Sequence, residues 1–262
     1  MYLAGFTFDF RQEFPAPSCT DLYLKTGTIS SALHLPHKLP HISPQNNMTV
    51  NDALGGTPVL TYFPYKHLGL GEVFRLFFAD AGIPYEEAPA TKDVWPGLKK
   101  QLMESGANPI GSVPIVKIGD KVYHQTMPTV KYFSKKIQKY LPSSIEDEYF
   151  LDQMQDIISD WRSYVRAIFG QDEAAKQKYH AETLPKFVNA FETFLGRHPD
   201  GPYLLGKEIM HTDFPLYQAF ADNGIRTGGN LAGTLEEHPR VKAFIEAFEN
   251  RPPIKAHLAD RQ

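Results

Sequence analysis

Residues 57–63 read Thr57-Pro58-Val59-Leu60-Thr61-Tyr62-Phe63, closed by Pro64, and after a loop bearing Gly69 the chain continues Gly71-Glu72-Val73-Phe74-Arg75-Leu76-Phe77-Phe78 to Gly82. The first run is β-branched and aromatic, the composition of a short buried strand. In the second, Val73, Phe74, Leu76, Phe77 and Ala81 recur at helical spacing, and Gly82 supplies the stop. Downstream, Ile83-Pro84-Tyr85-Glu86-Glu87 reads as a second, edge-type strand, followed by an irregular segment. Val113-Pro114-Ile115-Val116-Lys117-Ile118 is a third strand, Gly119-Asp120 a tight turn, and Lys121-Val122-Tyr123-His124 a fourth strand, so the last two form a hairpin. A helix over about 126–139 completes the unit.

Strand, helix, strand, irregular segment, hairpin, helix is the order of a thioredoxin-like α/β domain. After Leu141-Pro142-Ser143-Ser144 the pattern changes. Leu151, Met154, Ile158, Trp161, Val165 and Ile168 recur every three or four residues, a long amphipathic helix, and helical patterns also fit 173–196, 213–223 and 239–249. The expected organisation is an irregular extension over 1–56, a thioredoxin-like domain over 57–138 and an all-α helical domain over 147–262.

The extension holds Pro15, Pro17, Pro36, Pro40 and Pro44 and sustains no period of 2 or 3.6. Phe6, Phe8, Phe10 and Phe14 offer apolar docking points, and the alternation of the first three also suits a short strand. His34, His37 and His41 have metal-like spacing, but Pro36 and Pro40 break any helix that would align them, so no metal is expected. Met48 opens a remainder that reads as self-sufficient. A natural extension, a targeting segment and a mistaken start all remain open for 1–47.

Composition narrows the function classes. A length of 262 residues fits one large domain or two small ones at about 150 residues per domain. Hydrophobic residues at 42% and charged residues at 22% supply a core and exclude global disorder. Lysine plus arginine number 27 against 30 acids, a net charge of -3, which argues against a polyanion binder. No apolar run approaches the roughly 18 residues of a membrane helix. Asp9, Arg11 and Glu13 sit where a signal peptide needs apolar residues, and Cys19 is the single cysteine, so neither export nor a disulfide framework is expected. The chain reads as intracellular, and the expected location is cytoplasmic. The 13% aromatic content suits an apolar ligand cleft as well as a plain core.

Four stretches resemble the cytosolic glutathione transferases. Leu60-Thr61-Tyr62-Phe63 with Gly71-Glu72-Val73-Phe74-Arg75 is similar to the first strand and helix of the tyrosine-type members, and the sigma branch, which includes hematopoietic prostaglandin D synthase, is the nearest subclass. Trp95-Pro96-Gly97-Leu98-Lys99, Gly111-Ser112-Val113-Pro114-Ile115 and His124-Gln125-Thr126-Met127 through Val130-Lys131-Tyr132-Phe133 follow in family order, and the similarity covers about 57–255. The resemblance implies a detoxifying transferase with glutathione as co-substrate and no cofactor, acting as a homodimer on small hydrophobic electrophiles. Neither nucleic acid nor membrane is an expected partner.

The resemblance also implies roles. Tyr62 would aim its hydroxyl at the glutathione sulfur. A thiol of pKa about 8.5 is only slightly ionised at neutral pH, and a donor that bonds the thiolate but not the thiol raises the anion fraction. The same tyrosine also suits a strand core, and Tyr65 is the alternative donor. Val113-Pro114 is either an ordinary trans edge proline or a cis bond on its residues alone; the resemblance implies cis, with the Val113 backbone pairing the cysteinyl backbone of glutathione. Gln125 and Thr126 would grip the γ-glutamyl group where a helix starts, and Thr126 suits a plain N-cap as well. Trp95 and Lys99 match positions that hold the glycyl carboxylate. Asp160 matches an acid reaching the γ-glutamyl amine from the partner subunit, though Lys99 and Asp160 also read as solvated charges.

Three departures stand out. Leu70 replaces an arginine that the sigma enzymes carry beside the thiol, with Lys66 and His67 in the lengthened loop as candidate substitutes. Ser112 stands where lysine is frequent. Met210-His211-Thr212-Asp213 resembles a capping box with methionine in place of the capping hydroxyl, Asp213 keeping the reciprocal half. Alternatives to conjugation are a glutathione-dependent isomerase, prostaglandin-type or otherwise, and a non-catalytic structural relative; retention of Tyr62, Gln125 and Thr126 disfavours the last.

Overall fold

In the computed structural model, residues 49–168, 170–227 and 235–259 are described. The expectations for Phe6, Phe8, Phe10 and Phe14, for Cys19, and for His34, His37 and His41 lie outside the described residues. Residues 46–262 make one compact unit, and it opens with a correction. Val50–Leu54, inside the segment expected to be irregular, is a helix (α1). Its amino end is a reciprocal capping box: Thr49 Oγ1 accepts the Asp52 N–H at 3.2 Å and Asp52 Oδ2 accepts the Thr49 N–H at 2.9 Å. Gly55 ends it in the left-handed conformation, at φ 92°. Leu54 joins the core and Asn51 Nδ2 donates to the Pro84 carbonyl at 3.2 Å, so the turn is held by tertiary contacts that five residues could not replace on their own.

The sheet follows the expected order. Its strands are β1 (Val59–Thr61), β2 (Glu86–Glu87), β3 (Ile115–Ile118) and β4 (Lys121–His124), arranged β2-β1-β3-β4. β2 runs parallel to β1, with Val59 opposite Glu86, and β3 runs antiparallel to β1, with Leu60 opposite Val116. The parallel crossover is α2 (Leu70–Ala81), stopped by Gly82 at φ 68°. Phe74, Phe77 and Phe78 are fully buried on it, each contributing about 1.5–3 kcal/mol of burial. The segment expected to be irregular before β3 contains a helix, α3 (Trp95–Glu104). Pro96 sits in its first turn, and Leu102 is the one residue it buries, so it lacks the apolar stripe by which an amphipathic helix is recognised. α4 (Thr126–Ile137) packs against α1 and α2.

Ile145–Ile168 (α5) is the long helix anticipated from its apolar period. Beyond it lie α6 (Glu173–Lys178), a π-helical turn over Tyr179–Thr183, α7 (Leu184–Leu195), α8 (Asp213–Thr227), α9 (Pro239–Glu249) and α10 (Pro252–Leu258). Trp161 anchors this half: its ring stacks on Phe187 at 5.5 Å, meets Phe220 edge-on at 5.0 Å, and its Nε1–H donates to the Tyr179 hydroxyl at 2.7 Å. Asp213 accepts the Met210 and Leu204 N–H groups at 2.7 and 3.2 Å, so the reciprocal half of the expected capping box is present. Burial pushes its carboxyl up to about 7 against those two bonds.

The sheet-bearing and helical halves are joined by side chains far apart in sequence. Phe77 meets Phe214 edge-on at 5.5 Å, and Arg251 clasps both oxygens of Asp80 at 2.7 Å. Glu72 is fully buried in the first turn of α2: its Oε1 lies 2.7 Å from His257 Nε2 and 3.0 Å from His67 Nδ1, and its Oε2 accepts from Arg75 at 3.2 Å. Among the described residues no helix is long and apolar enough to cross a membrane.

Candidate active site

A cavity of about 740 Å³ opens where β1 ends, α4 begins and α5 passes, within the size range of small-molecule sites. Tyr62 is the first residue after β1 and lines it. Its ring lies directly over Gly71: a methyl group there would stand 2.9 Å from Tyr62 Cβ and nearer still to the ring carbons. The glycine at the start of α2 is therefore what lets the ring occupy this place. Tyr65 also lines the cavity, half-exposed, its ring edge-on to Tyr62 at 6.4 Å. Its carbonyl accepts from Arg75 at 3.0 Å, and Arg75 is itself held by Glu87 at 2.8 and 3.0 Å.

Val113, Gln125 and Thr126 form part of the same wall. The Val113–Pro114 peptide is cis. Gln125 has φ 67°, in the left-handed region that a side chain disfavours, and it turns the chain from β4 into α4 without capping the helix through its side chain. Thr126, the first residue of α4, is 5% exposed, and its buried Oγ1 has no hydrogen-bond partner. A buried hydroxyl left unbonded costs about 1–3 kcal/mol, and here it sits beside open space.

The other sequence-derived candidates are not part of this wall. Pro114 is buried behind Val113. Trp95 opens α3 with its ring edge-on to Phe63 at 6.4 Å, and the exposed Lys99 lies one turn on, its stem against Gly111. Asp160 is exposed on α5, and the acid of that helix that lines the cavity is Asp156, one turn earlier. Lys66 and His67 are also outside the wall, which corrects their candidacy as cations replacing the arginine absent at Leu70. His67 is 8% exposed and turned toward Glu72 instead.

The cations in the cavity come from the helical half. Arg162 and Arg166, one turn apart on α5, both line it. Arg162 Nη2 pairs with Asp222 Oδ2 at 2.7 Å. Asp222, on α8 and 2% exposed, accepts the Gly69 N–H at 2.8 Å and Gln218 Nε2 at 2.7 Å through Oδ1. Gln218 in turn donates to the His67 carbonyl at 3.3 Å. The loop between Tyr62 and α2 is thus fastened to α8 at two backbone points. Nothing in sequence announces this network: charges four apart on a long helix read as a solvated face, and Asp222 falls on its partners only once the helices are packed. Further along α5, Gln155 Nε2 lies 3.1 Å from His211 Nδ1 and 3.2 Å from Thr212 Oγ1. Burial, then the charge of Lys131, pushes the His211 imidazole down to about 4, so it is neutral at pH 7.

Residues 159–261 match the family model described as glutathione S-transferase, C-terminal domain. The chain is 30% identical over 213 residues to a probable glutathione S-transferase 5 of Caenorhabditis elegans, covering 77% of this chain and 95% of that protein. Among solved structures, a major nematode-specific transferase of C. elegans superposes with a TM-score of 0.64 at 27% identity, covering 79% of this chain and 97% of the other. A structure named prostaglandin synthase D of Nilaparvata lugens superposes with a TM-score of 0.64 at 25% identity, covering 79% and 98%. Identity at that level across nearly the whole of a relative, on a fold shared with solved transferases, establishes that this chain belongs to the glutathione S-transferase family and is a transferase.

Proposed function

We propose that the enzyme is a tyrosine-type, sigma-like transferase that conjugates the glutathione thiolate to small hydrophobic electrophiles. The observation that carries this reading is the buried Thr126 hydroxyl, unbonded at the start of α4 beside Gln125, with Tyr62 and Val113 on the same cavity wall. A γ-glutamyl carboxylate fits that helix start, where the Thr126 hydroxyl and the backbone N–H groups of the first turn offer donors. The Val113 backbone pairs the cysteinyl unit, and Trp95 and Lys99, to the side, hold the glycyl carboxylate. Tyr62 is the catalytic residue, donating its O–H to the sulfur as the thiolate forms. The enzyme works in this reading as a cytoplasmic homodimer, Asp160 reaching the γ-glutamyl amine of the partner subunit, and needs no cofactor. Glutathione-dependent isomerisation is the second reading, favoured by the likeness to the N. lugens structure named as a prostaglandin synthase.

The test is calorimetry with glutathione. Thr126→Val replaces the hydroxyl by a methyl group of similar shape, and Gln125→Ala removes the neighbouring amide. Each should weaken affinity, the second about tenfold, or 1.4 kcal/mol, with the fold intact. Unchanged affinity in both variants would overturn the site.

A further inference from the structure

The cavity is polarised along α5, and the ion pairs between α4 and α5 fix which end is which. Lys135 meets Glu148 at 2.9 Å and Lys131 meets Asp152 at 2.6 Å. Four residues back on α4 therefore match four residues forward on α5. One more step of that antiparallel register brings the start of α4, at Met127, opposite Asp156, and both line the cavity. Arg166 lies ten residues beyond Asp156, about 15 Å further along the helix. Arg162 lies between them, tied through Asp222 to Gly69 in the loop that follows Tyr62. The end of the cavity nearest Asp156 thus adjoins Gln125 and Thr126, and the basic end, where Asp222 also lines the wall but is paired with Arg162, lies beyond the reach of the γ-glutamyl unit.

At that basic end the two guanidiniums differ. Arg162 is 16% exposed in its side chain and neutralised by Asp222. Arg166 is exposed, lines the cavity and has no ion-pair partner among the described residues. Its field at the cavity mouth is therefore uncompensated, and its planar fork suits a carboxylate. We infer that the second-substrate compartment selects electrophiles bearing a carboxylate, with Arg166 as the residue that recognises it and Arg162, held by Asp222, as the wall that orients the acceptor. The inference rests on the glutathione reading given above, since that reading assigns the other end of the cavity to the tripeptide.

Two ligands that differ by a carboxylate and its neutral methyl ester test it without chemistry: S-(4-carboxybenzyl)glutathione and S-(4-methoxycarbonylbenzyl)glutathione, titrated calorimetrically into the full chain. The acid should bind more tightly by about fivefold at low salt, the upper range for an exposed ion pair, and added salt should shrink the difference. Arg166→Gln should abolish the preference of acid over ester, and Arg166→Lys should keep part of it. If both ligands bind equally well, or if the preference survives in Arg166→Gln, the acid-selecting compartment is wrong while the glutathione site stands. If neither ligand binds, the glutathione reading fails and takes this inference with it.

Discussion

The carboxylate of Asp222 accepts the backbone N–H of Gly69 at 2.8 Å across 153 residues of sequence. Asp222→Ala would leave the Gly69 N–H, the Gln218 amide and the Arg162 guanidinium without their shared acceptor. Breaking a buried ion pair from one side costs about 3–5 kcal/mol, so urea unfolding should show a loss of that order. Asp222→Asn keeps an oxygen for Gly69 and should lose less stability. Equal stability of wild type and Asp222→Ala would show that the loop is held elsewhere.

On the proposed reading, Tyr62→Phe removes a bond made to the thiolate and not to the thiol. The pKa of bound glutathione should rise toward the free value by roughly two units, or about 2.7 kcal/mol. The rate at neutral pH should fall, and well above the free thiol pKa much of it should return. A pH–rate profile with a chromogenic aryl halide reads both effects. The half-exposed Tyr65 lines the same cavity, and a shifted profile in Tyr65→Phe with an unchanged one in Tyr62→Phe would reassign the donor.

Gly71→Ala tests the placement of the ring. On propensity alone the change favours the helix by about 0.8–1.0 kcal/mol. The added methyl group, however, meets Tyr62 from its Cβ outward, so the ring must swing away. Helical content should be retained while conjugation at neutral pH falls, and a crystal structure should show Tyr62 displaced. Full activity would mean that the hydroxyl is aimed from another ring position.

Glu72 carries a pH dependence with a definite sign. Burial alone would raise its pKa, but the bonds from His257 and His67 and the charge of Arg75 overcome this and hold it below the ordinary carboxylate value. A depressed folded-state pKa contributes stability that is complete above the unfolded value of about 4.5. That contribution is lost as pH falls through the folded value. His257→Ala should therefore cost about 1.5–3 kcal/mol near neutrality, and the gap to wild type should narrow in acid as Glu72 protonates in both. Parallel stability curves at all pH values would remove Glu72 from the account.

What could be read in advance follows the range of each interaction. The residues of α2 announced it through their own spacing and the Gly82 stop, and the places of Tyr62 after a strand and of Gln125 and Thr126 at a helix start were legible because such ends are local features. α3 escaped notice because its ten residues bury Leu102 alone. α1 escaped because five residues make one turn, and its capping box uses Asp52 where Glu or Gln is the usual signal. α10 opens with Pro252-Pro253, which reads as a stop, although proline suits a first turn. Arg162, Asp222 and Gly69 could not be connected from sequence, since they lie on a helix, a second helix and a loop that only tertiary packing brings together. The replacement of arginine by Leu70 was visible; that guanidiniums enter the cavity from α5 was not.

The two residues of β2 bear on solubility as well as on topology. An outer strand offers unpaired backbone groups to any other chain, and a long, flat, apolar one invites stacking between molecules. Here the outer strand beside β1 is two residues long, both exposed glutamates, with Pro84 before it and Pro89 after it. Glu87 is further engaged by Arg75. A second molecule approaching that edge would meet carboxylates and two prolines that donate no hydrogen bond, so the sheet is closed to growth on that side by its own sequence.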